Sequence, residues 1–172
     1  MAEHFSPVEI AALLESAVAA IRAEVDALPK AVTTFHPAEG EWSINEVIGH
    51  LIEAERRGFA GRIKIFLASK DPQVETWEQN EVARGRRDDM KSTAKLVTEL
   101  ERMRAESVTL VRGLKAADLK RGGQHPKVGW LRVEDILHEW VHHDRNHIKQ
   151  IHGNVQAWAW PHMGNTQKFS GD

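Results

Sequence analysis

The 172-residue chain contains no cysteine and no tyrosine. Without cysteine it has no disulfide, no thiolate ligand for zinc and no cysteine nucleophile. Any metal ion must therefore be held by His, Asp, Glu or water, and no phenol is available as an acid or base. The formal net charge is only -2, so the sequence lacks the basic excess that nucleic acids or anionic membranes attract.

Long apolar runs are also missing, because no stretch approaches the roughly 18 uninterrupted apolar residues of a membrane span. Residues 1–7 lack the basic and apolar regions of a signal peptide, so we expect a cytoplasmic protein. The hydrophobic fraction of 41% and the charged fraction of 28% are typical of a globular chain. The length favours one domain over residues 1–172.

Apolar residues at steps of three and four predict four long helices. The first follows Ser6, with Glu9 completing a capping box, and Pro29 ends it. The second opens in the same way at Ser43 and Glu46 and ends near residues 69–72. The third covers about residues 93–114. These helices, together with the lack of an alternating strand pattern, predict an all-α, antiparallel four-helix bundle.

The fourth helix is predicted from residue 133 to 152, because Gly153 is a natural stop, and a short helical tail should precede Trp160. Three connections, residues 30–42, 70–90 and 115–132, are long for a minimal bundle. We expect at most one helical turn in residues 70–90. This connection contains an arginine cluster, Arg84, Arg86 and Arg87. The cluster could bind an anionic substrate, although charged clusters of this kind are more often simply exposed to solvent.

Four of the ten histidines lie in the fourth helix and form two pairs at i, i+4. This spacing places two side chains on one face, one turn apart, where both can reach one metal ion. The apolar pattern places His143 and His147 on the flank of the inward face. It places His138 and His142 on the polar side, where we expect solvated rings.

His50 is a lone histidine in the apolar second helix and supplies a third ring. Three imidazoles with an open position are typical of a catalytic metal site, whereas the alternative is a set of half-buried, hydrogen-bonded histidines. Several divalent ions bind imidazole well, and among them we expect Zn²⁺ or Ni²⁺ at this site. Acceptors within reach of the outer ring nitrogens are Glu46, Glu53, Asp144 and Gln150. For Glu46, the role of a helix-capping residue is favoured over that of an acceptor. For Asp144, a salt bridge with Arg145 or Lys149 is as good an interpretation as a hydrogen bond with a ligand ring.

Two segments resemble the signatures of the DinB/YfiT-like family. The second helix carries Trp42-Ser43, Glu46, His50-Leu51 and Glu53, and the fourth carries the pattern HxxxHxxQI as His143, His147, Gln150 and Ile151. The resemblance covers about residues 5–162. It implies a four-helix bundle with an unusual connection and one divalent metal, often Ni²⁺ or Zn²⁺, on His50, His143 and His147. It also implies a homodimer and, in some relatives, transfer reactions that use a low-molecular-weight thiol.

Two functional hypotheses remain open. The chain is either a metal-dependent enzyme of thiol-dependent S-transferase or hydrolase type, or a non-catalytic bundle that binds a metal or a small molecule. In the enzyme, Glu46 and Glu53 are the nearest carboxylates for a general base, and the partner is a small-molecule substrate rather than a nucleic acid or a membrane. In the non-catalytic bundle, a fourth ligand such as His162 or a carboxylate would close the metal shell.

Overall fold

The four predicted long helices are present in the computed structural model, which describes residues 4–170. Both predicted capping boxes form, at Ser6 with Glu9 and at Ser43 with Glu46. The α-helices in chain order are α1 (Pro7–Asp26), α2 (Lys30–Thr33), α3 (Ile44–Glu53), α4 (Ala60–Ala68), α5 (Gln79–Arg86), α6 (Thr93–Arg112), α7 (Ala116–Leu119) and α8 (Val133–Ala159).

The bundle consists of α1, α3 with α4, α6 and α8. Its main contacts join α1 to α6 and α8, and α3 to the same two helices. Therefore α1 faces α3 across the bundle, and α6 faces α8. Because two of the three connections must cross from one helix to the diagonally opposite one, they are longer than those of a simple up-down bundle. Two apolar clusters fill the interior, one around Phe66 and Trp140 and the other around Ile48 and Leu100.

The second predicted helix is interrupted rather than continuous. A π-helical turn, Ala54–Gly58, separates α3 from α4, and Phe59 follows it with non-helical φ and ψ of -103° and -84°. Gly61 has no room for a side chain, because a Cβ there would collide with the carbonyl oxygen of Arg56. The turn directs Glu55 into the interior, where it is only 1% exposed. Turns of this kind often mark functional sites.

The long connections contain more regular structure than the sequence predicted. Residues 70–90 hold α5 and a 3₁₀ turn, Asp88–Met90, rather than a single helical turn. Residues 115–132 include a hairpin of β1 (Gly122–His125) and β2 (Gly129–Arg132), for which the sequence showed no alternating pattern. Each strand has only four residues, which is too short for a recognisable alternation of apolar and polar positions.

Gly153 does not end the last helix, which was an incorrect prediction. The helix continues to Ala159 because its apolar face continues: Val155 packs on the core cluster, and Asn154 donates to the carbonyl oxygen of Trp42 at 2.8 Å. The short helix expected before Trp160 is instead the end of α8, and two 3₁₀ segments follow it, Trp160–His162 and Gly164–Phe169. Within residues 4–170, no helix combines the length and apolar character needed to cross a membrane.

Candidate metal centre

The structure brings His50, His143 and His147 together between α3 and α8. His50 lies in the last turn of α3, and the other two lie one turn apart on α8. The Nε2 atoms of His50 and His143 are 3.0 Å apart, and those of His143 and His147 are 3.2 Å apart. The three histidines form the one group of at least three metal-ligating side chains that converge in this way among residues 4–170.

These distances suit three nitrogens around one ion. Two nitrogens at about 2.0–2.1 Å from a metal, with an angle of about 90–110° between the bonds, are about 2.8–3.4 Å apart. Both separations between Nε2 atoms fall in that range. The donor set therefore fits a divalent ion that imidazole prefers.

Burial keeps all three rings neutral, and the neutral ring is the form that binds metal. Burial, with a smaller contribution from the neighbouring His147, lowers the pKa of His50 to about 3. Burial and the adjacent histidines likewise lower the pKa of His143 to about 3. The pKa of His147 is also lowered by burial, although the hydrogen bond with Gln150 opposes the shift.

Gln150 is the acceptor that the sequence suggested for the outer nitrogen of a ligand. Its amide oxygen accepts from Nδ1 of His147 at 2.9 Å, so the Nε2 lone pair of this ring points toward the other two histidines. The Nδ1 atoms of His50 and His143 are buried and have no hydrogen-bond partner in the described part of the chain.

Aromatic rings hold the other two histidines. Trp42 and Trp77 both lie next to His50, with ring centroids 5.0 and 5.8 Å away. Phe59 contacts His143 edge to face at 5.0 Å and stacks on Trp140. These contacts restrict the ring orientations, and they cover one side of the site with aromatic surface that limits solvent access.

A buried ion network lies directly beneath the site. Asp144 follows His143 and pairs with Arg104 of α6, which also binds both carboxylate oxygens of Glu55 at 3.0–3.1 Å. Arg104 donates in addition to the carbonyl oxygen of Leu14 on α1. The predicted pairing of Asp144 with its helix neighbours was therefore wrong, because Asp144 is 1% exposed and faces the core.

The two carboxylates considered as general bases are engaged elsewhere. Glu46 accepts from the backbone and side chain of Ser43 and lies 2.7 Å from Nε2 of His36. Glu53 is buried, which raises its pKa, but hydrogen bonds from Arg57 and Arg86 and the charge of Arg56 outweigh this and lower it. Across residues 4–170, neither carboxylate forms a hydrogen bond with the three histidines.

The remaining sequence candidates divide between surface and packing roles. Arg84 and Arg87 are exposed, whereas Arg86 is half-buried and joins Glu53 to Asp88. His142 is exposed as predicted, but His138 is half-buried, with Nδ1 2.9 Å from the carbonyl oxygen of Glu134. His162 is exposed beyond the end of α8 and is not part of the converging group.

A cavity of about 320 Å³ opens above the histidines and reveals residues that the sequence analysis missed. His50 and His143 lie in its wall with Trp77 from the α4–α5 connection, Arg62 from α4 and Glu139 from α8. Of these residues, only Glu139 could have been identified from the sequence, because it precedes His143 by one helical turn and so lies on the same face of the helix. The positions of Arg62 and Trp77 depend on the break in the second helix and on the path of the following connection.

The fold and the site together define a four-helix bundle with three converging imidazoles. The sequence matches the DinB superfamily over residues 13–151, and the chain belongs to this superfamily. Its fold matches that of YfiT from Bacillus subtilis with a TM-score of 0.82, 20% identity and 93% coverage of both chains. That protein is described as "a probable metal-dependent hydrolase with an unusual four-helix bundle topology".

Two relatives carry the name "Putative metal-dependent hydrolase". The protein of Halalkalibacterium halodurans is 26% identical over 113 residues, which are 66% of this chain and 65% of the relative. A protein of Bacillus cereus is 23% identical over 121 residues, 70% of this chain and 69% of the relative. The chain thus matches slightly less than two thirds of the first relative's length.

Proposed function

We propose that this protein binds one divalent metal ion through His50, His143 and His147 and acts as a metal-dependent hydrolase on a small molecule. The observation that carries the proposal is the convergence of three neutral imidazole nitrogens, two of them on histidines that line a cavity of about 320 Å³, His50 and His143. The names of the relatives from Halalkalibacterium halodurans and Bacillus cereus support the reaction class.

The donor set favours a catalytic over a structural metal. Three protein ligands leave room for water or substrate, whereas structural zinc sites use four. A Zn²⁺ or Ni²⁺ ion bound there would polarise a carbonyl oxygen and lower the pKa of water. The protein contributes neutral rings in fixed orientations, and the surrounding Trp42, Phe59 and Trp77 exclude bulk solvent from one side of the site.

Glu139 is the carboxylate we assign as the proton acceptor. It lies one helical turn before His143 and faces the same cavity. None of the ion pairs within residues 4–170 includes Glu139, whereas Glu46 and Glu53 are both paired, so the oxygens of Glu139 are free to take a proton from an attacking water molecule. A general base of this kind contributes about 10²–10⁴-fold to the rate.

The first experiment measures metal content after purification with zinc or nickel. We expect about one ion per chain in the wild type and none in His147→Ala. The matched control is His142→Ala, which removes an exposed histidine from the same helix and should retain the metal. If His147→Ala binds as much metal as the wild type, the ligand assignment is wrong.

The second experiment tests catalysis with a panel of ester and amide substrates. Activity should disappear with a chelator, return with metal, and fall by about 10²-fold or more in Glu139→Gln at unchanged metal content. Glu106→Gln, on the exposed surface of α6, should retain full activity. Activity that survives complete metal removal would contradict the proposal.

Other outcomes would favour the remaining hypotheses. A chelator that removes metal and helicity together would indicate a structural ion. Turnover that appears only when a low-molecular-weight thiol is added would indicate thiol-dependent transfer, since the chain has no cysteine of its own. The homodimer stays a prediction, which light scattering of the purified protein would test.

A further inference from the structure

Arg62 is a half-buried cation in the same cavity as the candidate metal ligands. It lies on α4, three residues after Phe59, and shares the cavity wall with Phe59, His50 and His143. Phe59 itself contacts the ring of His143. Phe59 and Arg62 are thus one helical turn apart: the first contacts a candidate ligand ring, and the second places its guanidinium in the wall of the same cavity.

The guanidinium of Arg62 lacks a compensating charge. In the described residues it forms no ion pair, its Nε is buried without an acceptor, and its one hydrogen bond is a long one of 3.3 Å to the carbonyl oxygen of Glu75. Burial lowers the pKa of this group. The buried or half-buried Arg86 and Arg104, by contrast, each pair with two carboxylates. Leaving a buried charge unpaired is costly, so an external anion is the natural partner of Arg62.

The other charges around the cavity limit what this anion can be. Lys127 pairs with Glu78 at 3.6 Å, and Glu139 on α8 adds a negative charge. Among the described residues of the wall, Arg62 is therefore the one unpaired cation, and the negative charge of Glu139 opposes anions of higher charge. A singly charged carboxylate matches the guanidinium in both charge and planar shape, whereas a doubly charged phosphate would bring excess negative charge close to Glu139.

We infer that Arg62 binds a carboxylate of the substrate, so that the hydrolase acts on an ester or amide that carries a free carboxylate. This inference deepens the proposed function and rests on it. In the reaction, water adds to the carbonyl carbon at the histidine end of the cavity. The C–O or C–N bond then breaks, and the leaving group departs with a proton as an alcohol or amine. The remote carboxylate stays on Arg62 and is chemically unchanged.

The test compares diacids with monocarboxylates by calorimetry on zinc-loaded, full-length protein. A series from succinate to adipate is titrated against the monocarboxylates of the same chain length, so that each pair shares one carboxylate for the zinc end and only the diacid has a second one for Arg62. We expect one diacid to bind at least about tenfold more tightly than its monocarboxylate, which is about 1.4 kcal/mol. The preference should vanish in Arg62→Gln and partly return in Arg62→Lys.

The matched control is Arg102→Gln, which removes the same charge from the exposed face of α6 and should retain the full preference. A wild type without any diacid preference, or an Arg62→Gln variant that keeps it, overturns the inference. Tighter binding of a phosphonate of equal length overturns the choice of carboxylate. Because zinc content and turnover are measured separately, a protein that prefers diacids but hydrolyses nothing would contradict only the proposed function.

Discussion

Replacement of Arg104 with Met should be among the most destabilising single substitutions in the protein. Arg104 is 2% exposed and binds Glu55, Asp144 and the carbonyl oxygen of Leu14, with its guanidinium 5.4 Å from the ring centre of Trp140. Met fills a similar volume but leaves two buried carboxylates facing each other without a cation. Removing one partner from a buried ion pair costs about 3–5 kcal/mol.

The expected loss is therefore about 3–5 kcal/mol, a large part of the roughly 5–15 kcal/mol that stabilises a domain. Its pH dependence follows from Glu55, whose pKa is raised by burial although Arg104 opposes the shift. Without Arg104 this pKa rises further. A carboxyl whose pKa is raised in the folded state makes the folded protein less stable as pH rises, because the folded state must then give up a proton that it holds tightly. The loss of stability in Arg104→Met should therefore be larger at about pH 8 than at about pH 5.

Urea denaturation followed by far-ultraviolet circular dichroism measures this loss. Arg112→Met is the surface control, because its pair with Glu15 is half-exposed and should contribute less than about 1 kcal/mol. A triple variant that adds Glu55→Gln and Asp144→Asn to Arg104→Met should recover part of the stability, since no buried charge remains. If Arg104→Met costs no more than Arg112→Met, the reasoning about this network is wrong.

Two further predictions concern pH and glycine. The metal-free protein should lose stability as pH falls from about 6.5 toward about 3: the unfolded chain binds protons on His50 and His143 in this window, whereas the folded chain does not. Denaturation at several pH values measures how steeply the free energy of unfolding falls with pH, and this dependence should be weaker in His50→Gln. An unchanged dependence in that variant would contradict the prediction. Gly49→Ala should destabilise by about 1–3 kcal/mol, because a Cβ there would collide with the buried carboxylate of Asp88. Gly153→Ala, with open space around it, should stabilise by about 0.5–1 kcal/mol; equal effects of the two substitutions would refute this explanation.

Local sequence signals predicted the helices and the meeting of three histidines. Capping boxes at Ser6 and Ser43 depend on side chains three residues apart, which a sequence displays directly. The pairing of His143 with His147 follows from helical geometry, and the inward position of His50 follows from the apolar residues around it. Periodicity displays contacts within one turn of a helix and positions on its buried face. The contact of His50 with the rings of α8 joins two helices, and the resemblance of both motifs to one family supported that prediction.

Features that depend on the path of the chain were not predictable from periodicity. The π-helical turn accompanies the burial of Glu55 and the tight packing of Gly61, and the partner of Glu55, Arg104, is remote in the sequence. Arg104 occupies an inward position in α6 that the pattern would assign to an apolar residue, because its partners come from α1, α8 and the π-helical turn. The connection that carries Trp77 to His50 is likewise fixed by remote contacts, such as the hydrogen bond from Val74 to Gln124.

The same ion pairs that stabilise the bundle also orient the candidate ligands. His143 and Asp144 are adjacent on α8, so a rotation of the helix that misplaced the ring would also break the pair with Arg104. Glu53, one turn after His50, is tied to Arg86 in the same manner. Neighbouring ion pairs thus supply the rigidity that hydrogen bonds to the outer ring nitrogens provide in other sites. For this reason Arg104→Met should bind zinc more weakly even where circular dichroism shows it fully folded.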